Sequence, residues 1–266
     1  RHIMPIYPAL YVLAGAVVLA WPLWRRMGQV AVTALVAWGA VDSFAVRPHY
    51  LAYFGPQVGG PDQGYRHLVD SSLDWGSNLP GLKRWLERHN PGDREPVFLG
   101  YFGTDSPDYY GIKAWRLPGF FDWRPPGLFP FTPGYYAISA TLLQSVYSAA
   151  FGPWNREYER LYRSALASVL EYEREEHDPA RKQALIAREP AGYWDQEFAR
   201  YDRLRFARLC AWLRHQGDPP NHVGHAIFIW KLDFAALQAA LDGPPVELLD
   251  APVAWLGPPL AARPHP

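Results

Sequence analysis

The hydrophobic positions of this chain follow two patterns, unbroken runs near the amino terminus and periodic spacing further on. Residues 4–24 contain no charged side chain, and residues 28–46 are interrupted only by a few polar side chains, among them Asp42. About 20 predominantly apolar residues in a helix suffice to cross the hydrocarbon core of a bilayer. We therefore expect two transmembrane helices within residues 1–47, as the end of a larger membrane domain that lies upstream.

The residues between the two runs predict their orientation. Trp24, Arg25 and Arg26 lie there, and aromatic and basic residues at such a boundary are typical of a membrane interface with a cytoplasmic turn. We then expect the chain after Arg47 to lie on the opposite, extracytoplasmic side, which in a bacterium is the periplasm. An alternative interpretation makes residues 28–46 the buried core helix of a soluble protein, but the length of the run and its pairing with the first run favour the membrane.

Beyond Arg47 the spacing changes to the periods of helices and strands. Residues 48–78 are rich in glycine, proline and aromatic residues, and we expect them to form an interfacial loop. Apolar residues on one face predict helices over 79–89, 154–177, 180–188 and 194–215. Short apolar runs bounded by turn residues predict strands over 97–102, 134–143 and 225–232. We expect Asp233 to cap a last helix that Gly243 terminates.

Helices that alternate with short apolar strands are typical of an α/β fold. We expect residues 79–250 to form an extracytoplasmic α/β domain, in which helices flank a small, mainly parallel sheet. Residues 251–266 are rich in proline and are expected to be a disordered tail.

Composition narrows the possible partners. The 266 residues include 26 Lys and Arg and 26 Asp and Glu, so the formal net charge is zero. Chains that bind nucleic acid usually carry a basic excess, and we therefore expect no nucleic-acid partner. Cys210 is the single cysteine, which excludes an intrachain disulfide, and its apolar helical surroundings predict a buried structural thiol.

The densest group of polar and aromatic residues lies in residues 70–78, directly before the first predicted helix of the domain. Such a group suits an anion or a sugar. The N–H groups and the dipole at a helix start favour a phosphate, whereas an indole face stacks on a sugar ring and carboxylates and amides bond its hydroxyls. The residues that would bind a saccharide or an acceptor in this way are Asp70, Asp74, Trp75 and Asn78. The alternative is a capping loop, in which Asp and Asn satisfy the free donors at the helix start, and spacing alone favours that alternative.

Two further groups are candidates for ligand binding. Arg1 and His2 precede the first predicted span, where cations either hold a lipid phosphate or simply anchor the helix at the interface. The histidines show no spacing typical of a zinc site, and we expect His222 and His225 to be turn residues at the start of a strand. We therefore assign no metal ligand and no cofactor from the sequence.

Several short strings stand out when they are taken together. The most specific is LVDSSLDWG at residues 68–76, and the others are RHIMPIYP at 1–8, PHYLAYF at 48–54 with GGP at 59–61, YFGT at 101–104, YYG at 109–111 and GYYAIS at 134–139. They resemble the carboxyl-terminal region of bacterial integral-membrane glycosyltransferases of the GT-C type, relatives of the protein O-mannosyltransferase and dolichyl-phosphate-mannose group. Ser72 and Ser77 depart from that pattern, because they stand where the family has Asn and Gln.

The resemblance implies a transferase that moves a sugar from its donor substrate, a polyprenyl-phosphate-linked sugar in the bilayer, to an extracytoplasmic acceptor. The catalytic acidic residue of such enzymes lies in their first extracytoplasmic loop, in the amino-terminal membrane domain. We therefore expect no catalytic residue in this fragment and no activity from it alone. Arg1 and His2 match the position where the family meets the lipid phosphate. The alternative is a non-catalytic, membrane-tethered periplasmic domain that binds saccharides or has a structural role.

Overall fold

A computed structural model describes residues 6–23, 26–118, 128–148 and 150–248. The chain separates into two compact units, Arg1–Tyr50 and Leu51–Pro266. The predicted tail over 251–266 lies outside the described residues, so its disorder stays a prediction.

The first unit contains two apolar helices, α1 (Tyr7–Ala20) and α2 (Arg26–Ala45). Among the described residues, α2 is the helix that is long and apolar enough to cross a membrane, and none of its residues is buried. Its 20 residues extend about 30 Å, the thickness of the hydrocarbon core. α1 has 14 residues, because Pro22 lacks the N–H that would continue the helix and lies in a 3₁₀ turn. One helix of spanning length is thus present, and the first expected span stays a prediction.

The second unit is built on a mixed five-stranded sheet. The strands are β1 (Val97–Gly100), β2 (Trp115–Arg116), β3 (Gly134–Ser139), β4 (Asn221–Val223) and β5 (Ile227–Leu232), in the spatial order β2-β1-β3-β5-β4. β1 is parallel to both β2 and β3, whereas β5 is antiparallel to both β3 and β4. The predicted α/β fold is confirmed, but the sheet is mixed rather than mainly parallel.

A tight turn accounts for the hairpin of β4 and β5, and β4 itself is a strand that the sequence did not predict. Gly224 and His225 both have positive φ angles (60° and 57°), as in type I′ hairpin turns. The Ala226 N–H donates to the Val223 carbonyl over 3.2 Å and closes the turn. Because such a turn folds one strand directly back along the other, β4 and β5 are antiparallel.

Helices cover both faces of the sheet. The unit contains α3 (Leu79–His89), α4 (Ala140–Leu143), α5 (Arg156–Arg174), α6 (Pro179–Ala187), α7 (Tyr193–Arg214) and α8 (Phe234–Leu241), of which α3 covers one face and α4, α7 and α8 cover the other. Side chains alternate between the two faces of a strand, so the central strands contribute to two cores. α3 packs against Leu99 and Ile229 on one face, while α7 and α8 pack against Phe98 and Tyr136 on the other. A third cluster joins α5 to α7.

The predicted helices agree with the structure within three residues at each end, and the N-cap at Asp233 is confirmed by a 2.8 Å bond from the Ala236 N–H. The predicted strands are each too long. The strand expected over 134–143 ends at Ser139, where the chain turns into α4, and the strand expected over 97–102 ends at Gly100. Apolar residues continue past both ends, so the hydrophobic run alone does not mark them. Cys210 is buried, as expected.

Residues 48–78 form a succession of short 3₁₀ turns, as expected for a loop. Tyr65 and Leu73 are buried in the same core as Phe98 and Tyr136, whereas the location of this loop at a membrane interface stays a prediction. The loop therefore folds as part of the domain, and its last residues are held against the sheet.

Candidate functional site

Residues 70–78 lie at the carboxyl ends of two neighbouring parallel strands, β1 and β3. The Asp70 N–H donates to Thr141 Oγ1 (3.0 Å), shortly after β3. The Tyr101 hydroxyl, directly after β1, donates to the Gly76 carbonyl. Open α/β sheets bind ligands outside the carboxyl ends of their strands. The fold thus places the predicted binding residues at the edge of the sheet where such sites occur.

Asp70 anchors the start of this loop. Its φ angle of 61° is in the left-handed region, which Asp tolerates better than most residues. Its carboxylate accepts a 2.9 Å hydrogen bond from the Tyr147 hydroxyl, and this bond raises the pKa of Tyr147. The Tyr147 ring in turn stacks on Phe102, with ring centroids 5.4 Å apart. Asp70 is therefore engaged in positioning the loop.

Asp74 is buried, with 1% of its surface exposed. Its Oδ1 accepts hydrogen bonds from the Gly76 N–H (2.9 Å) and from Asn78 Nδ2 (3.1 Å). Its Oδ2 is also buried and has no hydrogen-bonding partner among the described residues. Burial raises the pKa of this carboxyl, against the hydrogen bonds from Gly76 and Asn78, which lower it. An unpartnered oxygen of this kind can take a proton or accept a bond from a ligand.

The side chain of Trp75 faces solvent, whereas that of Asn78 faces the protein interior. Asn78 is buried and gives its amide to Asp74, and its side chain does not cap α3, contrary to the capping alternative. Trp75 is 61% exposed, so its indole presents an apolar face to solvent directly beside the buried carboxyl. The four predicted residues thus divide into a buried polar pair, an exposed ring and a positioning carboxylate.

Gly76 brings the loop into close contact with the end of β1. Its φ angle is 80°, and a Cβ built at this position would lie 2.6 Å from the Tyr101 hydroxyl and 2.7 Å from Gly103 Cα. Burial raises the pKa of Tyr101, and the charges of Asp74 and Asp105 raise it further. The phenol therefore stays neutral and keeps donating its proton to the loop backbone.

The sequence pattern does not indicate three further residues of this site, Tyr101, Thr141 and Tyr147. All three contact the 70–78 loop from segments at least 25 positions away. One signal was available, since glycine beside an aromatic-rich strand end often marks a close backbone approach.

A second polar cluster lies where the β4–β5 hairpin meets the turn Pro61–Arg66. His225 Nδ1 is 2.7 Å and His222 Nε2 is 3.2 Å from Asp62 Oδ1. Burial and the neighbouring His225 lower the pKa of His222, against the charge of Asp62, which raises it. Only His225 lies in a turn as expected, because His222 is part of β4.

Arg1 and His2, the residues expected at a lipid phosphate, lie outside the described residues. Comparisons of the chain with models of protein families, with curated proteins and with solved structures give no significant match.

Proposed function

We propose that this chain is the carboxyl-terminal part of an integral-membrane glycosyltransferase of the GT-C type. The complete enzyme moves a sugar from a polyprenyl-phosphate carrier to an acceptor on the periplasmic side of a bacterial inner membrane. A carboxylate in an upstream loop is the catalytic base, and Arg1 and His2 lie at the lipid phosphate. The Leu51–Pro266 unit binds the saccharide of the acceptor or carrier at residues 70–78.

The observation that carries this proposal is the meeting of three strings that resemble the family. Residues 68–76, 101–104 and 134–139 are separate in the sequence, yet they lie together at one edge of the sheet. Hydrogen bonds join the first string to the second and the second to the third. Function resides in a site rather than in a fold, so strings that share one family's pattern and also assemble into one site support that family's chemistry.

The exposure of α2 supports a location in the membrane. Side chains such as Val30, Leu35, Val36, Trp38 and Phe44 are all more than 60% exposed. The exposure of so many large apolar side chains is unfavourable in water and favourable in a bilayer. A membrane location is what a lipid-linked donor substrate requires.

The chemistry of residues 70–78 fits a saccharide. The exposed Trp75 indole offers a flat face for the C–H groups of a sugar ring, as aromatic side chains do for apolar ligand surfaces. The neighbouring Asp74 Oδ2 has an unused capacity to accept a hydrogen bond from a sugar hydroxyl, once a movement of the loop admits the ligand.

The test is the change Trp75→Ala in the complete membrane enzyme, assayed with a lipid-linked sugar donor. We expect transfer to fall by about twofold to 13-fold, the equivalent of the 0.5–1.5 kcal/mol that an aromatic contact contributes. The amount of enzyme in the membrane should not change, because an exposed ring contributes little to folding. Immunoblots of the membrane fraction measure this amount.

The matched control is Trp115→Ala. Trp115 is 49% exposed and lies on the short edge strand β2, where it pairs with Phe98 of β1 and packs against Phe129. Transfer by this variant should equal that of the wild type. If Trp75→Ala transfers sugar as fast as the wild type, residues 70–78 do not bind the saccharide and this assignment is wrong.

A non-catalytic, membrane-tethered saccharide-binding domain is the second candidate. It is favoured by the same exposed indole beside a buried carboxyl, which requires no upstream catalytic loop. If this second candidate is right, the Leu51–Pro266 unit, which has its own sheet and cores, binds saccharides without α1 and α2. The change Trp75→Ala then abolishes that binding. This candidate also expects the native membrane protein to transfer no sugar, and detection of transfer decides between the two.

A further inference from the structure

We propose that Asp62, His222 and His225 form a binding site for one divalent transition-metal ion of the zinc class. The site lies outside the 70–78 loop and joins two distant parts of the domain. Its ion fixes the turn Pro61–Arg66 to the β4–β5 hairpin.

The spacing of the ligand atoms fits such an ion. The three atoms, one from each residue, all lie within 4.8 Å of one another, and two of the separations are 2.7 and 3.2 Å. Zinc bonds to nitrogen and oxygen measure about 2.0–2.1 Å, which places the ligand atoms of a tetrahedron about 3.3 Å apart. Small rotations of the side chains therefore suffice to surround an ion.

The backbone positions the two imidazoles before any ion arrives. His222 lies in β4, and His225 lies in the turn with a φ angle of 57°, a conformation that histidine adopts more readily than most residues. The tight turn brings their rings to a centroid distance of 4.6 Å, nearly stacked at 29°. Both rings face the same carboxylate oxygen, so the hairpin supplies two ligands in one arrangement.

The third ligand is also held in place. Asp62 belongs to the 3₁₀ turn Pro61–Arg66, and two other residues of that turn are fixed to the loop before β4. Gln63 and Arg66 both donate to Asp218 Oδ1, over 3.0 and 2.8 Å. The turn is therefore docked beside the hairpin by bonds that do not involve the proposed ligands, and the entropy lost on binding an ion is reduced.

The donor set selects the class of ion. Imidazole nitrogens suit zinc, iron, nickel and copper, whereas calcium and magnesium prefer oxygen ligands alone. Three protein ligands leave a coordination position for water or another group. The Asp62 side chain is 64% exposed, so solvent and the ion both have access.

Ion binding changes the hydrogen bonds of His222. The His225 N–H donates to His222 Nδ1 over 3.3 Å, so the ring proton sits on Nε2 and faces Asp62. An ion at His222 Nε2 requires that proton on Nδ1, and an ion at His225 Nδ1 requires the proton of that ring on Nε2, so two neutral rings bind the ion with no net release of protons. The long bond from the His225 N–H is given up, and the metal–nitrogen bond replaces it.

The experiment uses the full chain in detergent, carrying no polyhistidine tag, after treatment with a chelator. Zn²⁺ is the probe in calorimetry, and Co²⁺ replaces it for absorption spectra that report the ligand geometry. We expect one ion per chain. Asp62→Ala, His222→Gln and His225→Asn should each weaken binding by at least about 10–100-fold, the loss that changes outside the first ligand shell already cause. Asn is chosen at residue 225 because it tolerates a positive φ.

Two controls separate the site from unspecific binding and from folding. His177→Gln removes an exposed histidine outside the cluster and should bind zinc as the wild type does. Circular dichroism shows whether each variant is folded, and Asp218→Asn tests whether loosening the turn alone reduces affinity. If the wild type takes up no zinc, or if folded His222→Gln and Asp62→Ala bind it with wild-type affinity, the three residues are only a hydrogen-bonded cluster.

Discussion

Gly76 is the residue on which the close packing of residues 70–78 against β1 depends. Its positive φ angle and its contact with Gly103 leave no room for a side chain. Gly92 has a similar φ angle of 73°, but nothing lies within 4 Å of the position its Cβ would take. Substituting each glycine therefore separates the free-energy cost of backbone strain, present at both positions, from the cost of a steric clash, present only at Gly76.

We expect Gly76→Ala to lower the free energy of unfolding by about 2–4 kcal/mol, the sum of strain at positive φ and of an overpacked contact. Gly92→Ala should cost only the strain, about 1 kcal/mol. Urea unfolding of the Leu51–Pro266 unit, followed by tryptophan fluorescence, measures both values. Equal losses would show that the loop does not approach Gly103 as closely as described.

The raised pKa of Asp74 predicts that the free energy of unfolding depends on pH. Burial raises its pKa above the ordinary value of 3.8. A carboxyl whose pKa is higher in the folded state stabilises the fold below the unfolded value, and this stabilisation is lost as the pH rises through the folded value. Asp74→Asn keeps an oxygen for Gly76 and Asn78 and removes the charge. We expect the variant to gain stability relative to the wild type as the pH rises from about 4 to 7 in urea unfolding. A constant difference would contradict the raised pKa.

The sequence of residues 70–78 predicts which side chains share the loop but not the direction in which each of them points. Its composition placed Asp70, Asp74, Trp75 and Asn78 in one segment before a helix, and the structure keeps them in one loop. It did not indicate that Asp74 and Asn78 turn inward to bond each other while Trp75 faces solvent. Tyr101, which follows β1, bonds the Gly76 carbonyl in the middle of this loop, and the sequence of the loop itself gives no sign of that contact.

At the scale of elements, a largely buried ion pair joins α7 to the segment that follows α8. Arg214 at the end of α7 binds Glu247 through two hydrogen bonds of 2.7 and 3.0 Å. The same carboxylate accepts a 2.7 Å hydrogen bond from the backbone N–H of Trp154. Burial alone would raise the pKa of Glu247, but the hydrogen bond and charge of Arg214 outweigh it and lower the pKa.

We expect Glu247→Gln to lower the free energy of unfolding by about 3 kcal/mol at neutral pH, because it leaves Arg214 largely buried without its countercharge. Glu157→Gln, which removes an exposed pair with Arg160 on α5, should have no measurable effect. The difference between Glu247→Gln and the wild type should shrink as the pH falls below 4.5, because a lowered pKa stabilises the fold only above the unfolded value. Urea unfolding across this range measures both effects, and a loss that does not depend on pH would exclude the ion pair as its cause.

The elements differ in how well their sequences specify them. Long helices such as α5 and α7 repeat an apolar face over several turns, so their ends are predicted closely. β2 and β4 have two and three residues, too few to show a period. The direction of β5 depends on the turn at Gly224 and His225, where histidine at a positive φ angle is not a strong signal.

At the scale of the whole molecule, sequence separation limits what can be predicted. The α/β class follows from the order of the elements and is confirmed, whereas the contact of Asp62 with His225 joins residues 163 positions apart. Spacing rules for metal sites compare neighbours in sequence, and they do not detect a ligand brought in by the fold. The same holds for Asp70 and Tyr147, which are 77 positions apart.

The two outermost strands of the sheet are also its shortest. β2 and β4 expose few unpaired backbone groups, and a long free edge would invite the edge of another copy to pair with it. Short edges give a neighbouring copy little to extend, which disfavours growth of the sheet from one chain into the next.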